Sequence, residues 1–289
     1  MKKDAVIRLG IVGSDNYHAV AFSQLCNTDQ EKTPPNARVV AIWGEDQART
    51  EEVAGLGKIP TIVKDPLEML GQVDGVLVVC RHGDLHAPQA IPFLEARVPT
   101  WVDKPFAIAP ADAARMVETA RRTNTPLTSF STLRYARCTQ RFLRTMRPHG
   151  KLVTGVISGA NHGAGAPRDA YGGLPFYGCH VVELLGEIFG CGVTAVEAVA
   201  HQTHIHAVVR YADERVVTLQ FLGDVAPAWH VTAYAQGGSD HFKADTKDCY
   251  KQGLAVILRM IRTRERPLSD EQLLESVRVM DLITRALRR

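Results

Sequence analysis

What most limits the fold of this chain is a regular alternation through its first ~130 residues. Short apolar runs at 5–13, 37–44, 61–65, 73–80, 99–103 and 126–131 are separated by stretches with helical character at 18–27, 46–55, 86–96 and 110–123, with a helical turn in "PLEML". Apolar runs joined through helical segments imply βαβ units. The runs are continuous rather than alternating, as in "VDGVLVVC", so the strands are buried on both faces. The first half therefore reads as a Rossmann-type doubly wound parallel sheet.

The second half has a different texture. A basic helix near 135–147 and the run "KLVTGVISGANHG" precede a Gly/Pro-rich loop at 163–178 and a helical "HVVELLGEIFG" at 180–190. Then come "TAVEAVA", "IHAVVRYA", "RVVTLQFLG" and "WHVTAYAQ", joined by turn residues such as Ala212–Asp213–Glu214, which predicts meander hairpins. The expected second domain, 131–289, is α+β: a mostly antiparallel sheet with helices on one face. The first domain is 1–130. A last helix is signalled by Ser269 and Gln272 as a capping-box pair and by the stripe Leu273, Val277, Met280, Ile283 and Leu287.

Charge and cysteine content narrow the partners. Thirty-four basic against 31 acidic residues is too balanced to argue for nucleic acid or an anionic membrane. No apolar run is long enough to span a bilayer. Asp4 and Arg8 break the apolar stretch at the N-terminus, so it reads as a lead-in to a strand and not as a signal peptide. Six scattered cysteines without a C-x-x-C pair suit reduced thiols and a cytoplasmic location.

The chemistry gathers at the carboxyl ends of the strands, where open α/β sheets bind ligands. "GIVGSDNYHA" offers a dinucleotide turn, with glycine where backbone approaches a pyrophosphate and a helix N-terminus aimed at the anion. Gly13 supplies the turn, while Asp15 and His18 hold the second and third fingerprint positions. Gly13, Ser14, Asp15, Asn16, Tyr17 and His18 are the candidates here. Asp15 must turn away, as in capping the helix, for the anion to approach. The alternative is a plain strand–helix junction.

After strand two, Glu45 is placed to hold ribose hydroxyls, which favours NAD over NADP although Arg49 stands nearby. Its alternative role is a solvated acid in a first helical turn. After strand four, Arg81, His82 and His86 are candidates for the nicotinamide pocket, with His86 alternatively starting and capping the next helix. Lys104 ends strand five, and Pro105 after it favours an extended conformation. Lys104 either acts on a ligand or pairs with Asp103.

The combination of "RLGIVGSDNYHA", "VDGVLVVCRHGDLHAPQAIPFLEARVPTWVDKPFA", Arg134 and "GGLPFYGCHVVELLG" resembles the Gfo/Idh/MocA family of NAD(P)-dependent oxidoreductases over nearly the whole chain. "DKP" is similar to the family's Glu-Lys-Pro, with Asp103 for Glu. The resemblance implies that Lys104 hydrogen-bonds the reacting hydroxyl and the nicotinamide ribose, and that His180 assists proton transfer. Asp103 and Lys104 join the cofactor-side candidates; Arg134, Tyr177, His180 and Lys104 are the substrate-side ones. The family's motif carries an Asp four residues before this His, where Phe176 stands. Its last Asp is Glu183, and the segment is one residue short.

Without that carboxylate, the base for a secondary alcohol is His180, Lys104 or Tyr177, and His180 with Lys104 ranks first. Tyr177 lies three residues before His180 and shares its helical face. It needs its phenol pKa lowered to serve.

The resemblance implies an NAD- or NADP-dependent oxidoreductase, NAD favoured, acting on a secondary alcohol of a sugar, polyol or glycoside. Lys104 and His180 are expected at one cleft, and a flat apolar outer face of the second sheet is expected to make a homodimer or homotetramer. Two other readings stay open: a non-catalytic sensor or scaffold, and a redox-neutral isomerase or eliminase that recycles bound NAD. No metal is called for. His204 and His206 share one strand face but lack a third ligand. Cys179 points away from its neighbour His180. Arg134 reaches a polar substrate or pairs with an acid.

Overall fold

The computed structural model describes residues 5–28, 36–161 and 170–288. They form two compact units. The first comprises 1–107, 111–130 and 250–269; the second comprises 108–110, 131–249 and 270–289. A single cut at 130 therefore misassigns 250–269, which returns to the first unit.

The first unit is built on β1 (Ile7–Val12), β2 (Ala37–Trp43), β3 (Thr61–Ile62), β4 (Gly75–Val78), β5 (Thr100–Val102) and β6 (Leu127–Ser129). Their order is β3-β2-β1-β4-β5-β6, parallel at every pairing. The helices are α1 (Tyr17–Asn27), α2 (Gln47–Gly57), α3 (His86–Glu95) and α4 (Pro110–Thr123). Every residue of β4 is buried, as is all of β1 except Arg8, which accounts for the unbroken apolar runs. Phe22, Trp101 and Phe130 stack edge-on or tilted through the core. Each such ring contributes roughly 1.5–3 kcal/mol by burial.

The sequence reading assigned nothing to 249–263, yet "CYKQGLAVILRMIRT" forms α7 (Cys249–Thr263). Its Ile261 seats on Gly75, where a Cβ would lie 2.5 Å from the Ile261 Cδ1.

The second unit carries β7 (Leu152–Ala160), β8 (Val193–His201), β9 (His204–Tyr211), β10 (Val216–Leu222), β11 (Trp229–Ala235) and β12 (Gly238–Lys243), in the order β12-β11-β7-β10-β9-β8. All neighbours are antiparallel except β7 and β10, which run parallel, so the sheet is not a pure meander. The helices are α5 (Arg137–Met146), α6 (Leu174–Phe189) and α8 (Asp270–Ala286).

One sheet face, with Ile157, Val209, Val217, Leu219, Phe221 and Val231, joins α6 and α8 in the core. The other face sets Val156, Val208 and Val216 among His206, Thr218, Gln220, Ser158 and His230. It is mixed in polarity and not the flat apolar surface expected: polar residues alternate with the valines. Among the described residues no helix is long and apolar enough to cross a membrane, and no group of three or more His, Cys, Asp or Glu could hold a metal. His204 Nδ1 accepts the Gly223 N–H at 3.2 Å.

Candidate active site

The candidate residues fall on both units, and each set has its own geometry. In the first unit, Gly13 has φ +107°, and a Cβ there would sit 2.5 Å from the Cys80 backbone nitrogen. Only glycine lets the turn after β1 pass so close to the end of β4. The groove above this turn, about 100 Å³, is lined by Gly13, Ser14, Asp15, Trp43, Glu45, Asp46, Cys80 and Leu85. It joins the carboxyl ends of β1, β2 and β4, where a dinucleotide would lie.

Asp15 does turn, but not to cap α1: its carboxylate accepts the Arg81 backbone N–H at 3.1 and 3.2 Å. Asn16 is the cap, accepting the His18 N–H. With the carboxylate engaged this way, Gly13, Ser14 and the start of α1 fit an anionic pyrophosphate and Glu45 fits the ribose. Ser14 is braced by Thr50 and Arg49: Thr50 Oγ1 donates to its hydroxyl at 2.9 Å and Arg49 Nε to its carbonyl at 3.2 Å. Burial first, then the Asp15 and Glu45 carboxylates, push the Cys80 thiol up to about 12, so it stays protonated and inert.

Several expected cofactor contacts face elsewhere. The Tyr17 ring is exposed and edge-on to Tyr250. His82 Nδ1 accepts the Asp84 N–H in the turn before α3. His86 neither caps α3 nor lines the groove. It is fully buried, its ring nitrogens 2.8 Å from the Pro105 carbonyl and 2.7 Å from the Cys80 carbonyl, so it ties the chain after Lys104 to the end of β4. Arg81 contributes its backbone N–H to Asp15. None of these four lines the groove.

Asp103 is completely buried. Its Oδ2 accepts from Asn16 Nδ2 at 2.8 Å and from His18 Nδ1 at 2.5 Å, and its Oδ1 accepts the Lys104 backbone N–H at 2.7 Å. Burial opposes its charge, but His18, with Lys104 and His86, holds the carboxyl below the usual carboxylate range. Asn16, His18 and Asp103 thus hold one another. Lys104, 5% exposed, ends β5 at the ligand edge of the sheet.

In the second unit, α6 begins at Leu174, inside the stretch read as loop; Pro175 suits the first turn of a helix. Tyr177 and His180 are one turn apart, their ring centroids separated by 5.2 Å. The Ser131 hydroxyl lies 2.7 Å from His180 Nδ1 and accepts the Leu133 N–H. A ring that donates from Nδ1 to Ser131 carries its lone pair on Nε2, the form that can take a proton.

Burial pushes the Tyr177 phenol up, with Cys179 adding to the effect. The lowering of the phenol that a base role for Tyr177 requires is therefore not found. Phe176, at the position of the missing carboxylate, packs against Tyr171 and Tyr177.

Arg134 pairs with acids. At 1% exposure its Nε donates to Glu183 at 2.5 Å and its NH1 to Glu187 at 3.0 Å. This corrects the expected substrate contact. Glu183 also accepts the Ser131 backbone N–H at 3.3 Å, so the pair braces the segment that orients His180. Cys179 donates to the Phe176 carbonyl and has no part in this arrangement.

Trp229 was missed. Its indole stands 5.2 Å from the His180 ring and 5.8 Å from Tyr177, over Gly159, where a Cβ would lie 2.4 Å from its Cδ1. The signal was an aromatic opening a strand, which reads equally as core.

A parallel sheet in this order, with a glycine turn at its ligand edge, defines a Rossmann-type dinucleotide-binding fold. Residues 7–130 match the family described as "Oxidoreductase family, NAD-binding Rossmann fold", GFO_IDH_MocA.

Solved structures share the fold over both units. A putative myo-inositol dehydrogenase from Sinorhizobium meliloti is 15% identical, with 98% of each chain covered and a TM-score of 0.83. GenD2 from gentamicin A biosynthesis, solved with NAD, is 14% identical over 98% of this chain and 95% of its own, TM-score 0.84. Myo-inositol dehydrogenase from Lactobacillus casei, solved with NAD(H) and myo-inositol, is 12% identical over 97% and 94%, TM-score 0.83. At these identities the likeness is one of fold. No curated protein matches the chain.

Proposed function

We propose that this protein is an NAD-dependent dehydrogenase that oxidises a secondary hydroxyl of a cyclic polyol or sugar, with Lys104 and His180 serving one reaction. The observation that carries the reading is how Lys104 is held. It is a buried cation at the carboxyl end of β5, its backbone N–H fixed by Asp103 and the next residue's carbonyl fixed by His86. The inositol dehydrogenases of the same fold support the substrate class.

NAD, when bound, would supply the acceptor for the hydride of the carbinol carbon. Gly13, Ser14 and the first turn of α1 hold its pyrophosphate, and Glu45 its adenosine ribose. The Lys104 ammonium donates to the hydroxyl oxygen and favours the negative charge that grows there. His180 Nε2 accepts the hydroxyl proton in the tautomer whose Nδ1 donates to Ser131. Self-association through the open face of the second sheet belongs to the same reading; light scattering of the intact protein checks it.

Purified protein given NAD and a panel of inositols and aldoses should form NADH and a carbonyl product in equal amounts with at least one of them. The absence of NADH across the panel would overturn the proposal. So would NAD that is released only on denaturation while the polyol is converted without net reduction, which is the redox-neutral outcome.

Glu45 is exposed at the end of β2 and lines the groove. Glu45→Ala should weaken NAD binding about tenfold, since hydrogen bonds to charged groups contribute about 1.5–3 kcal/mol. NADP binding should strengthen, because the carboxylate that repels its 2′-phosphate is gone. Calorimetric titration with both cofactors checks this. An unchanged NAD/NADP ratio would return Glu45 to the role of a solvated helix-start acid.

A further inference from the structure

Two departures from the expected pattern lie 85 residues apart in sequence and meet in the fold. His18 stands where the dinucleotide turn expects its third glycine, and Asp103 stands where the resemblance expects Glu. His18 Nδ1 and Asp103 Oδ2 are 2.5 Å apart, with both residues buried. Phe22, at 6.1 Å between ring centroids, and Tyr250, at 5.1 Å, fix the imidazole from its other sides. The same carboxylate takes Asn16 from the turn and the backbone N–H of Lys104. Ser129 Oγ donates to the Asp103 carbonyl at 3.3 Å.

We propose that His18 and Asp103 form a positioning pair that sets the Lys104 backbone against the cofactor turn. The two departures are one coupled change: a larger residue on α1 is accommodated by a shorter acid after β5. The third glycine of a dinucleotide turn allows close packing of helix on strand. Here the space is filled by a ring that bonds across it. A carboxylate without solvent needs its hydrogen bonds, and removing one partner is costly. In Asp103→Glu the added methylene enters space the His18 ring occupies; in His18→Ala the carboxylate loses a donor and a gap opens. The pair's hydrogen bonds run to Asn16 and to the Lys104 backbone, so it acts through Lys104 and not on the reacting atoms. The inference rests on the proposed role of Lys104.

The test is a double-mutant cycle of His18→Ala, Asp103→Glu and the double variant, with Asp103→Asn as the isosteric control. Each single variant, Asp103→Asn included, should lower kcat about ten- to a hundredfold, the range for a reacting group displaced by about 1 Å. KM for the polyol and the Kd for NAD should move little. The double variant should recover most of the loss in kcat.

Thermal unfolding of the cofactor-free protein gives a second reading that does not depend on activity: the double variant should melt above the value expected from adding the two single losses. Additive effects in both kcat and melting would overturn the proposal, as would single variants with wild-type kcat. If no polyol is oxidised at all, the melting cycle still decides whether the pair is coupled. A failed Proposed function is thereby kept apart from a failed pairing.

Discussion

Lys104→Ala is expected to lower kcat by about a thousandfold or more while the Kd for NAD stays within a few-fold of wild type. Losing one donor to a developing oxyanion costs about 10²–10³ in kcat. In the proposed reading the lost donor also carries a positive charge, which takes the expectation to the upper end. In the proposed reading most of the cofactor affinity comes from the turn at Gly13 and from Glu45, which the substitution leaves alone. The variant keeps the Lys104 backbone N–H on Asp103 and the Pro105 carbonyl on His86, which hold the segment. Stopped-flow NADH formation and calorimetric NAD titration on the same preparation separate the two quantities. Wild-type turnover in this variant would sink the assignment of the lysine.

His180→Ala should cost about 10²–10⁴ in kcat/KM, the usual contribution of a positioned general base. It should also remove the rising limb of the pH–rate profile, because imidazole is the side chain that changes charge between about pH 5 and 8. Tyr177→Phe serves as the control. Burial raises the Tyr177 phenol above its ordinary value of about 10, so the ring stays neutral wherever the enzyme works and the limb should stay in place. Ser131→Ala should fall between the two, with a smaller loss and a shifted limb, because the Nδ1 partner at 2.7 Å is gone. A His180→Ala profile that keeps its limb would assign the base to another group.

The parallel sheet was legible because its strands are buried on both faces, and that leaves unbroken apolar runs in the sequence. The start of α6 was not. Gly172, Gly173, Pro175 and Gly178 read as loop, yet Pro175 sits where a helix tolerates it. Gly178 is glycine for packing: a Cβ there would lie 2.8 Å from Leu174 Cδ1 and 3.0 Å from Phe221 Cδ1. The edge strand β12 hides for the opposite reason, since "GSDHFK" alternates between half-buried and exposed without apolar contrast.

Among the site residues, Lys104, Gly13 and Glu45 were readable from their place at strand ends. Asp15, His18 and Asp103 were also noticed, but as flaws in a pattern. Their meaning lay in contacts across 66 and 85 positions, which no local periodicity encodes.

The return of 250–269 to the first unit has a consequence for any attempt to take the protein apart. The Rossmann unit is not a cassette that ends where its sixth strand ends. Residues 131–249 are an excursion, and the chain comes back to complete what it left open. Cut off at 130, the sheet would lose the Ile261 side chain that fills the space beside Gly75 and the Arg266 Nε that bonds the Leu127 carbonyl. It would also lose Tyr250, the ring that closes over His18. The nucleotide half of this protein is therefore finished only by its far end, and inheritance of the one without the other would leave an incomplete core.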